Sequence, residues 1–295
     1  MGSLKLISID CGGTNLRVAA RDENLNILSV KRSATINDNP KKLYDLRHSL
    51  ILEVRKEAKY DKVDAIGRSL CGIVIHNKVG RVGNLGINGD FDFAAMLQKD
   101  FPSAKLKIAN DGNCSALVES KFGANKGRLD SAFVTISTGI GLGIVHNGKR
   151  IDSTLEAGRL LTRYKGKRYE WEGLLSGKGI GTFCKVNGVK DIPSGKEFFQ
   201  AVREKRSDVL PLFEEWEDRR ARFFANLQLL FDNEGYALSG GVRKSKDLFL
   251  RDIEEKANKL IEVWHLHPIV LKDAKFEQDV GLAAGCALAL DVLGK

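Results

Sequence analysis

The sequence predicts a two-lobed α/β protein in which one strand–turn–strand unit occurs twice. A chain of 295 residues exceeds a typical domain of about 150, so two lobes are expected. The unit runs from Leu6 to Ala20 and again from Phe133 to Val145, each time as two apolar strands around a glycine turn. Segments with helical spacing of apolar residues supply the α part of the pattern.

In the first half, short apolar runs between turns rich in Asp, Asn and Gly predict an antiparallel meander with strands at 6–9, 16–20 and 27–30. Apolar residues then recur at helical spacing from Lys41 to Tyr60. Further strands are expected at 65–69 and 106–108, separated by a Gly- and Asn-rich loop at 80–89. A helix should run from Cys114 to Phe122 and end at Gly123.

The second half repeats the opening unit and then becomes mostly helical. Strands at 133–137 and 142–145 surround the turn at 138–141, and a type I′ hairpin turn follows at 147–148. Helices are predicted at 197–205, 213–231, 248–261 and 277–293, and a strand from Tyr236 ends at Gly240 and Gly241. The aromatic stripe of the 213–231 helix favours core packing over ligand binding.

The order of these elements suggests lobe boundaries. We place the first lobe at residues 1–112 and the second at 113–276, and we expect the final helix, at about 277–295, to pack back on the first lobe. Ligands are expected in the cleft between the lobes.

Composition and charge narrow the class of protein. The 47 Lys and Arg residues are interleaved with 38 Asp and Glu, so the net charge of +9 favours small anions over nucleic acid. No apolar run approaches the roughly 18 residues of a membrane helix, and Leu4 to Ile9 predicts a strand rather than a secretion signal. Five scattered cysteines without paired spacing indicate reduced thiols. We therefore expect a cytoplasmic protein without nucleic-acid or membrane partners.

The first glycine turn has the features of a phosphate site. Gly12 and Gly13 lack Cβ atoms, so their N–H groups can approach an anion, and the preceding strand orients Asp10 to hold Mg²⁺ or its water. Taken alone, these glycines are equally typical of a plain hairpin. The second unit repeats the pattern and places Thr138 where Thr14 stands in the first. Two such turns favour a nucleotide-binding cleft over two unrelated hairpins.

Asp111 lies where a predicted strand changes to a helix. Because Asp and Asn are preferred helix N-caps, capping is one interpretation. In the other, Asp111 accepts the proton of an attacking hydroxyl while the glycine turns hold the phosphoryl group to be transferred. The helix N-terminus keeps such a carboxylate ionised, and Asn110 can hydrogen-bond neighbouring hydroxyls of a polyol. Both roles fit one turn if Asn113 caps the helix and Asp111 faces the cleft.

Taken in order, these motifs resemble the ROK family of sugar kinases and repressors, which has the two-lobed actin-like ATPase (ribonuclease H-like) fold. The motifs are Asp10-x-Gly12-Gly13-Thr14-Asn15-x-Arg17, Asn110-Asp111-x-Asn113, Ser137-Thr138-Gly139-Ile140-Gly141 and Gly240-Gly241. The resemblance implies ATP and Mg²⁺ as cofactors, a homodimer, and Asp111 as the base that activates a sugar 6-hydroxyl. It assigns ATP binding to Asp10 (which would also hold Mg²⁺ through water), Gly12, Gly13, Thr14, Asn15, Arg17, Thr138, Gly139, Gly240 and Gly241.

The resemblance also implies a set of sugar contacts. Glu172 stands where the family has its second sugar-contacting glutamate, and the first is replaced by Arg159. The region of Gly72 and Asn84 resembles the family's N-terminal sugar loop, although Asn84 is equally well explained as a turn residue. The implied contacts are Gly72, Asn84, Asn110, Asp111, Arg159 and Glu172.

One family feature is missing from the chain. Thr162 replaces the histidine of the family's zinc motif, and no cysteine occurs between Cys114 and Cys184. We therefore expect no structural zinc, and we expect packing of Trp171 and Tyr169 to hold residues 159–172 instead.

Arg159 bears on the choice of sugar. A guanidinium only donates hydrogen bonds, whereas a carboxylate only accepts them. If Arg159 faces the pocket, it suits the carbonyl of an N-acylhexosamine, and we favour N-acetylmannosamine over glucose. If Arg159 instead pairs with Glu156 or Glu170, that reason is lost, and a glucokinase or hexokinase is the alternative.

The leading prediction is an ATP-dependent kinase that phosphorylates a sugar 6-hydroxyl. A sugar-sensing regulator of the same family is the alternative from another class. Such regulators carry a DNA-binding helix-turn-helix ahead of the first glycine motif, and only nine residues precede Asp10, so we expect no such segment. An intact Asp111 also favours catalysis, because a sensor needs no base.

Overall fold

The structure is a computed structural model that describes all residues except 1–2, 38, 71, 73, 76–77, 80, 83–86, 89–91, 154 and 277–278. The chain forms two compact units. Unit 1 comprises Met1–Lys121, Arg150–Thr154 and Phe276–Lys295, and unit 2 comprises Phe122–Lys149 and Leu155–Lys275. In the described part of the chain, no helix is long and apolar enough to span a membrane.

Unit 1 is built from a sheet with helices packed against it. Its strands are β1 (Leu6–Cys11), β2 (Asn15–Arg21), β3 (Ile27–Ala34), β4 (Ala65–Leu70), β5 (Val74–Ile75), β6 (Lys78–Val79), β7 (Arg81–Val82), β8 (Ile87–Asn88) and β9 (Lys105–Asn110). Its first helices are α1 (Pro40–Glu57), α2 (Phe93–Asp100) and α3 (Asp111–Phe122). The sheet has the order β3-β2-β1-β4-β9, in which β1 to β3 form the predicted antiparallel meander. Strands β4 and β9 continue it in parallel.

Two elements of unit 1 differ from the sequence-based expectation. The region predicted as a loop at 80–89 contains the short hairpin β7–β8, and neither the hairpin β5–β6 before it nor the helix α2 after it was predicted. Helix α3 follows β9 without a loop, so its residues up to Lys121 group with unit 1, whereas the sequence analysis placed residues from 113 onward in the second lobe.

Unit 2 contains a second sheet and most of the helices. Its strands are β10 (Ser131–Ile136), β11 (Ile140–His146), β12 (Lys149–Arg150), β13 (Leu161–Tyr164), β14 (Lys167–Glu170), β15 (Tyr236–Ser239) and β16 (Leu271–Asp273). Its helices are α4 (Glu172–Leu175), α5 (Gly179–Val186), α6 (Gly195–Arg203), α7 (Leu210–Phe231) and α8 (Leu250–Ile261), with 3₁₀ segments at Ala157–Arg159, Gly241–Leu248 and Glu262–Trp264. As predicted, Trp216, Phe223 and Phe224 of α7 are buried in the core.

The two main sheets repeat one topology. The second has the order β12-β11-β10-β15-β16, in which β10 pairs antiparallel with β11 and parallel with β15, and β15 pairs parallel with β16. The first sheet has the same sequence of antiparallel and then parallel neighbours around β1. The predicted duplication of the strand–turn–strand unit is therefore confirmed at the level of whole sheets.

The last helix, α9 (Val280–Val292), completes unit 1 by packing on β1, β4 and β9. It is apolar on all sides and buried from Gly281 to Leu290, as expected of a helix inside a domain. A Cβ added to Gly67 of β4 would lie 1.9 Å from the carbonyl oxygen of Gly285. The helix and the strand therefore touch backbone to backbone, and neither position accepts a side chain.

Candidate functional site

The first glycine turn joins β1 to β2 and is held by a defined set of backbone bonds. The Gly12 amide donates to the Asn15 carbonyl at 3.0 Å, which closes the turn. The carbonyl oxygens of Gly12 and Thr14 accept bonds from Thr35, through its hydroxyl at 2.8 Å and its amide at 2.9 Å respectively. The Gly12 N–H is thereby engaged inside the turn, contrary to the expectation that it approaches an anion, and the carbonyl oxygens of Gly12 and Thr14 are hydrogen-bonded to Thr35.

This turn lines a cavity of about 500 Å³ in unit 1. Every predicted residue of the first motif contributes, and Arg32 of β3, which the sequence analysis missed, adds a second cation. The lining residues are Asp10, Gly12, Gly13, Thr14, Asn15, Arg17 and Arg32. The structure therefore brings the residues of the first motif together around one cavity, with two arginines in its wall.

The Asp10 carboxylate is fixed from two directions. Arg17 donates to its Oδ2 from Nε at 2.8 Å and from Nη2 at 2.5 Å, and a further Arg17 nitrogen lies 3.2 Å from Asp279. On the other side, a Cβ added to Gly281 of α9 would lie 2.2 Å from the Asp10 Cγ. Asp10 therefore depends on a glycine that lies far away in the sequence, a requirement that the local motif does not reveal.

Asp111 is exposed at the first position of α3, directly after β9. The cap of this helix is the neighbouring Asn110, whose Oδ1 accepts from the Gly112 amide at 2.9 Å and lies 3.4 Å from the Asn113 amide. The expectation that Asn113 caps the helix is wrong, because its side chain donates to the Ser153 carbonyl at 2.5 Å instead. The Gly112 amide also lies 2.9 Å from the Asp111 Oδ1, so both side chains share this donor, and the Asp111 carboxylate lies at the positive end of the helix.

Of the proposed N-terminal sugar residues, the structure joins Gly72 to this turn. The Asn110 Nδ2 donates to the Gly72 carbonyl at 2.9 Å, so Asn110 ties the end of β9 to the chain that follows β4. Asn84 lies outside the described residues.

In unit 2, Glu172 supports the second glycine turn. Its Oε2 accepts from the Ile140 amide at 2.7 Å, and a Cβ added to Gly139 would lie 2.4 Å from the same oxygen. Gly139 is therefore required so that the Glu172 carboxylate can lie against the turn. Gly240 has a positive φ of 95°, and a Cβ there would meet the Ile136 carbonyl oxygen at 2.3 Å, so this glycine too is demanded by packing.

Arg159 pairs with acidic residues of its own unit. Its Nη1 donates to Glu170 at 2.7 Å and lies 3.4 Å from the Oε1 of Glu172. The Glu170 hydrogen bond, followed by the charge of Glu172, raises the pKa of Arg159. Pairing with Glu170 was one of the two interpretations left open by the sequence, and it brings the guanidinium next to the proposed sugar residue Glu172.

A larger cavity, of about 770 Å³, lies within unit 2, and both Thr138 and Gly241 line it. Its walls carry four cationic side chains that the sequence analysis did not single out: Lys178, Lys196, Arg203 and Lys244. Arg203 is neutralised by two bonds of 2.8 Å to Asp247. The sequence does hold a signal for the first two lysines, because the tripeptide Ser-Gly-Lys occurs both at 176–178 and at 194–196.

The two Ser-Gly-Lys segments lie at the starts of α5 and α6 and are stacked on the glycine turn. The Gly177 amide donates to the Ser137 carbonyl at 2.7 Å, and the Gly195 amide donates to the Gly177 carbonyl at 2.7 Å. The N-terminus of each helix, with its lysine, thus borders the cavity that contains Thr138. Helix N-termini together with lysines are suited to binding phosphate groups.

Within the described part of the chain, no three His, Cys, Asp or Glu side chains gather in a way that could hold a metal ion. A magnesium ion bound with a nucleotide needs fewer protein ligands, because it usually takes one or two carboxylates and completes its coordination shell with phosphates and water. Asp10, with 21% of its side chain exposed in the wall of its cavity, fits that requirement.

Comparison with known proteins agrees with this geometry. The family model described as ROK family matches residues 6–292. The chain is similar to a glucokinase from Streptomyces coelicolor (24% identity over 312 residues, 96% of each chain) and to an N-acetylmannosamine kinase from Yersinia pestis (26% over 298 residues, 96% of this chain and 97% of the relative). A ROK family glucokinase from Streptomyces griseus, solved in complex with glucose and AMPPNP, has a TM-score of 0.71 at 23% identity over 98% of this chain and all of that one. The predicted actin-like ATPase fold is confirmed, and the chain belongs to the ROK family.

Proposed function

We propose that this protein is an ATP-dependent kinase that transfers the γ-phosphoryl group to the 6-hydroxyl of a hexose or N-acylhexosamine. The observation that carries the proposal is the exposed Asp111 carboxylate at the start of α3, in a turn whose cap is supplied by Asn110. A carboxylate at a helix N-terminus stays ionised at neutral pH and can accept the proton of an attacking hydroxyl.

ATP binding is supported by the two phosphate-type turns. Unit 1 offers the Asp10–Arg17 turn with Arg17 and Arg32, and unit 2 offers Thr138 beside the first turns of α5 and α6. AMPPNP, bound in the Streptomyces griseus glucokinase, is an ATP analogue. Magnesium held by Asp10 through water would neutralise phosphate charge, and Arg17 would keep that carboxylate in place.

For the sugar, we propose an N-acylhexosamine, with N-acetylmannosamine as the first candidate. Glu172 accepts hydrogen bonds and the adjacent Arg159 donates them, which suits a hydroxyl beside an N-acyl carbonyl. Glucose is the second candidate, because Glu170 already engages the Arg159 guanidinium and because relatives include a glucokinase as well as an N-acetylmannosamine kinase. The proposed contacts are Gly72, Asn84, Asn110, Asp111, Arg159 and Glu172.

The test is ADP release with a panel of hexoses and N-acylhexosamines, for the parent and for Asp111→Asn. We expect turnover with at least one sugar, and we expect the variant to lose about 10²- to 10⁴-fold in kcat while binding ATP nearly as before, because only proton acceptance is removed. Asp92→Asn is the matched control, since Asp92 is an exposed carboxylate that starts α2 and accepts from the Ala95 amide at 2.9 Å.

Two outcomes would contradict the proposal. Activity of Asp111→Asn within tenfold of the parent would exclude Asp111 as the base. Tight sugar binding without turnover of any sugar in the panel would favour a sugar-sensing regulator instead.

A further inference from the structure

One continuous segment of unit 2, residues 172–177, holds both ends of the second glycine turn. At the first end of the turn, the Gly177 amide donates to the Ser137 carbonyl at 2.7 Å. At the other end, the Oε2 of Glu172 accepts from the Ile140 amide at 2.7 Å. The helix α4 forms most of this segment, so a helical element fastens the turn between β10 and β11.

The Glu172 side chain is packed closely against the backbone of this turn. A Cβ added to Gly139 would lie 2.4 Å from the Glu172 Oε2. A Cβ added to Gly158 would lie 3.3 Å from the Glu172 Cβ and 2.8 Å from the Ile140 carbonyl oxygen. Two glycines therefore leave the space that the side chain fills, and the contact between Glu172 and the turn is more than a single hydrogen bond.

The two carboxylate oxygens of Glu172 have different partners. Oε2 holds the Ile140 amide, whereas Oε1 lies 3.4 Å from the Nη1 of Arg159. A carboxylate beside a turn that receives phosphate would by itself repel the anion. Because opposite charges this close attract, Arg159 offsets the charge of Glu172 while the hydrogen bond to the turn is kept.

We propose that Glu172 is a positioning residue for the nucleotide, whose carboxylate fixes the 138–140 turn in the form that receives the phosphates of ATP. This inference rests on the proposed kinase function and gives Glu172 a task besides the proposed sugar contact. Without this acceptor, the turn spends part of its time in other conformations. The apparent dissociation constant of the nucleotide then rises in inverse proportion to the fraction of molecules with the competent turn.

The experiment measures binding of AMPPNP with magnesium to the full chain by isothermal titration calorimetry, with no sugar present. We expect Glu172→Ala to weaken binding about tenfold, because hydrogen bonds to charged groups contribute enough for a change of that size. We expect Glu172→Gln to stay within about twofold of the parent, because its side-chain carbonyl can accept from the same amide. Since no sugar is present, a lost sugar contact cannot cause the difference.

Glu170→Ala is the matched control. Glu170 is a carboxylate two residues earlier that pairs with the same Arg159 at 2.7 Å, and within the described part of the chain it makes no hydrogen bond to the turn. This variant should bind AMPPNP as the parent does. Parent-like binding by Glu172→Ala, or an equal loss in Glu172→Gln, would overturn the proposal. If the parent itself bound no AMPPNP, the proposed kinase function would be overturned, and this inference with it.

Gly139→Ala tests the same contact from the side of the turn. The added Cβ must displace the Glu172 carboxylate, so this variant alone should also weaken AMPPNP binding. In the Glu172→Ala background, the same substitution should cause no further loss, because the atoms that it meets have been removed. Losses that add in the double variant would overturn the proposal. Parent-like binding by a folded Gly139→Ala protein would do so too, which covers the case in which Glu172→Ala does not fold.

Discussion

Asn110 and Asp111 are adjacent residues to which the structure gives different tasks. Asn110 accepts from the Gly112 and Asn113 amides and donates to the Gly72 carbonyl, while Asp111 shares the Gly112 amide and is exposed. The sequence predicted that a cap and a proposed base share this turn, but it assigned the cap to Asn113. Asn and Asp are nearly equivalent as caps, so only the backbone geometry decides which side chain takes the role.

Arg159 allows a test of sugar choice. We expect Arg159→Met to lower kcat/KM for N-acetylmannosamine about tenfold relative to glucose, because a hydrogen bond from a charged donor contributes roughly 1.5–3 kcal/mol. Steady-state kinetics with both sugars measures the ratio. Arg168→Met is the control, since Arg168 is an exposed arginine of the neighbouring β13–β14 hairpin. An unchanged ratio would remove the reason for preferring the acylated sugar.

The variant Gly281→Ala tests whether Gly281 positions the Asp10 carboxylate. Because an added Cβ would lie 2.2 Å from the Asp10 Cγ, Gly281→Ala must displace the carboxylate or the start of α9. A displacement of about 1 Å can cost about 10²-fold in rate, and we expect a loss of that order in kcat/KM for ATP. Gly173→Ala is the control, since a Cβ there meets nothing within 4 Å. Parent-like kinetics of a folded Gly281→Ala protein would refute this role.

The buried carboxyl group of Glu217 should make the stability of the folded protein depend on pH. It is 5% exposed on α7 and accepts from Lys256 at 3.2 Å, yet burial raises the pKa of Glu217 from 4.5 to about 6. Between these pH values the folded state binds more protons at this site than the unfolded chain does. The stability that this group contributes is therefore present below about pH 4.5 and lost as the pH rises through 6, a change of about 2 kcal/mol.

Urea unfolding between pH 4 and pH 7 checks this prediction. Glu217→Gln should flatten that part of the stability profile, whereas Glu214→Gln, an exposed position of the same helix, should leave it unchanged. The same slope in the parent and in Glu217→Gln would assign the pH dependence to another group.

At the scale of elements, the β13–β14 hairpin occupies the part of the chain where the family's zinc motif was expected and not found in the sequence. Trp171 is buried as predicted and meets Phe223 edge to face at 6.1 Å. The second buried anchor is Tyr164, which is 4% exposed, and not Tyr169, which is half-buried. The sequence identified Trp171 but took Tyr169 instead of Tyr164 as the second anchor, because the strand alternation that turns Tyr164 inward depends on a hairpin that was not predicted.

Tyr164→Phe should weaken this anchor. The Tyr164 hydroxyl lies 2.8 Å from the Asn187 Oδ1 and 2.9 Å from the Glu215 Oε2, and its single proton serves one of these acceptors at a time. Loss of that hydrogen bond costs about 1–3 kcal/mol. Thermal and urea unfolding measure the change. Tyr169→Phe, on the opposite strand, is the control and should cost less. An equal loss for both variants would show that the hairpin is not held through Tyr164.

Helices and strands were predicted correctly where the sequence pattern is strong. Long helices and the opening meander were predicted well, because periodicity and turn residues agree there. The short strands β5–β8 and the helix α2 were missed, because elements of two to eight residues leave too little periodicity to detect. The lysines of the unit 2 cavity were missed because their role depends on the stacking of two helix starts, which is a tertiary feature.

At the scale of the whole molecule, duplication was the most predictive feature. The repeated strand–turn–strand pattern in the sequence corresponds to two sheets of the same topology. Residues that matter only through contacts between distant segments were not predictable, as Arg32 and Gly281 show. Local spacing carries information on elements and motifs, whereas such contacts arise only when the sheet brings separate segments together.

The contact between Gly67 and Gly285 joins β4 to a helix that is synthesised more than two hundred residues later. During translation, the first strands leave the ribosome early but lack the apolar helix that covers one of their faces. The continuous segments of unit 2 are complete before that helix emerges. Unit 1 therefore begins before unit 2 and is completed after it, and its sheet lacks one apolar cover, which favours aggregation, until α9 has been synthesised.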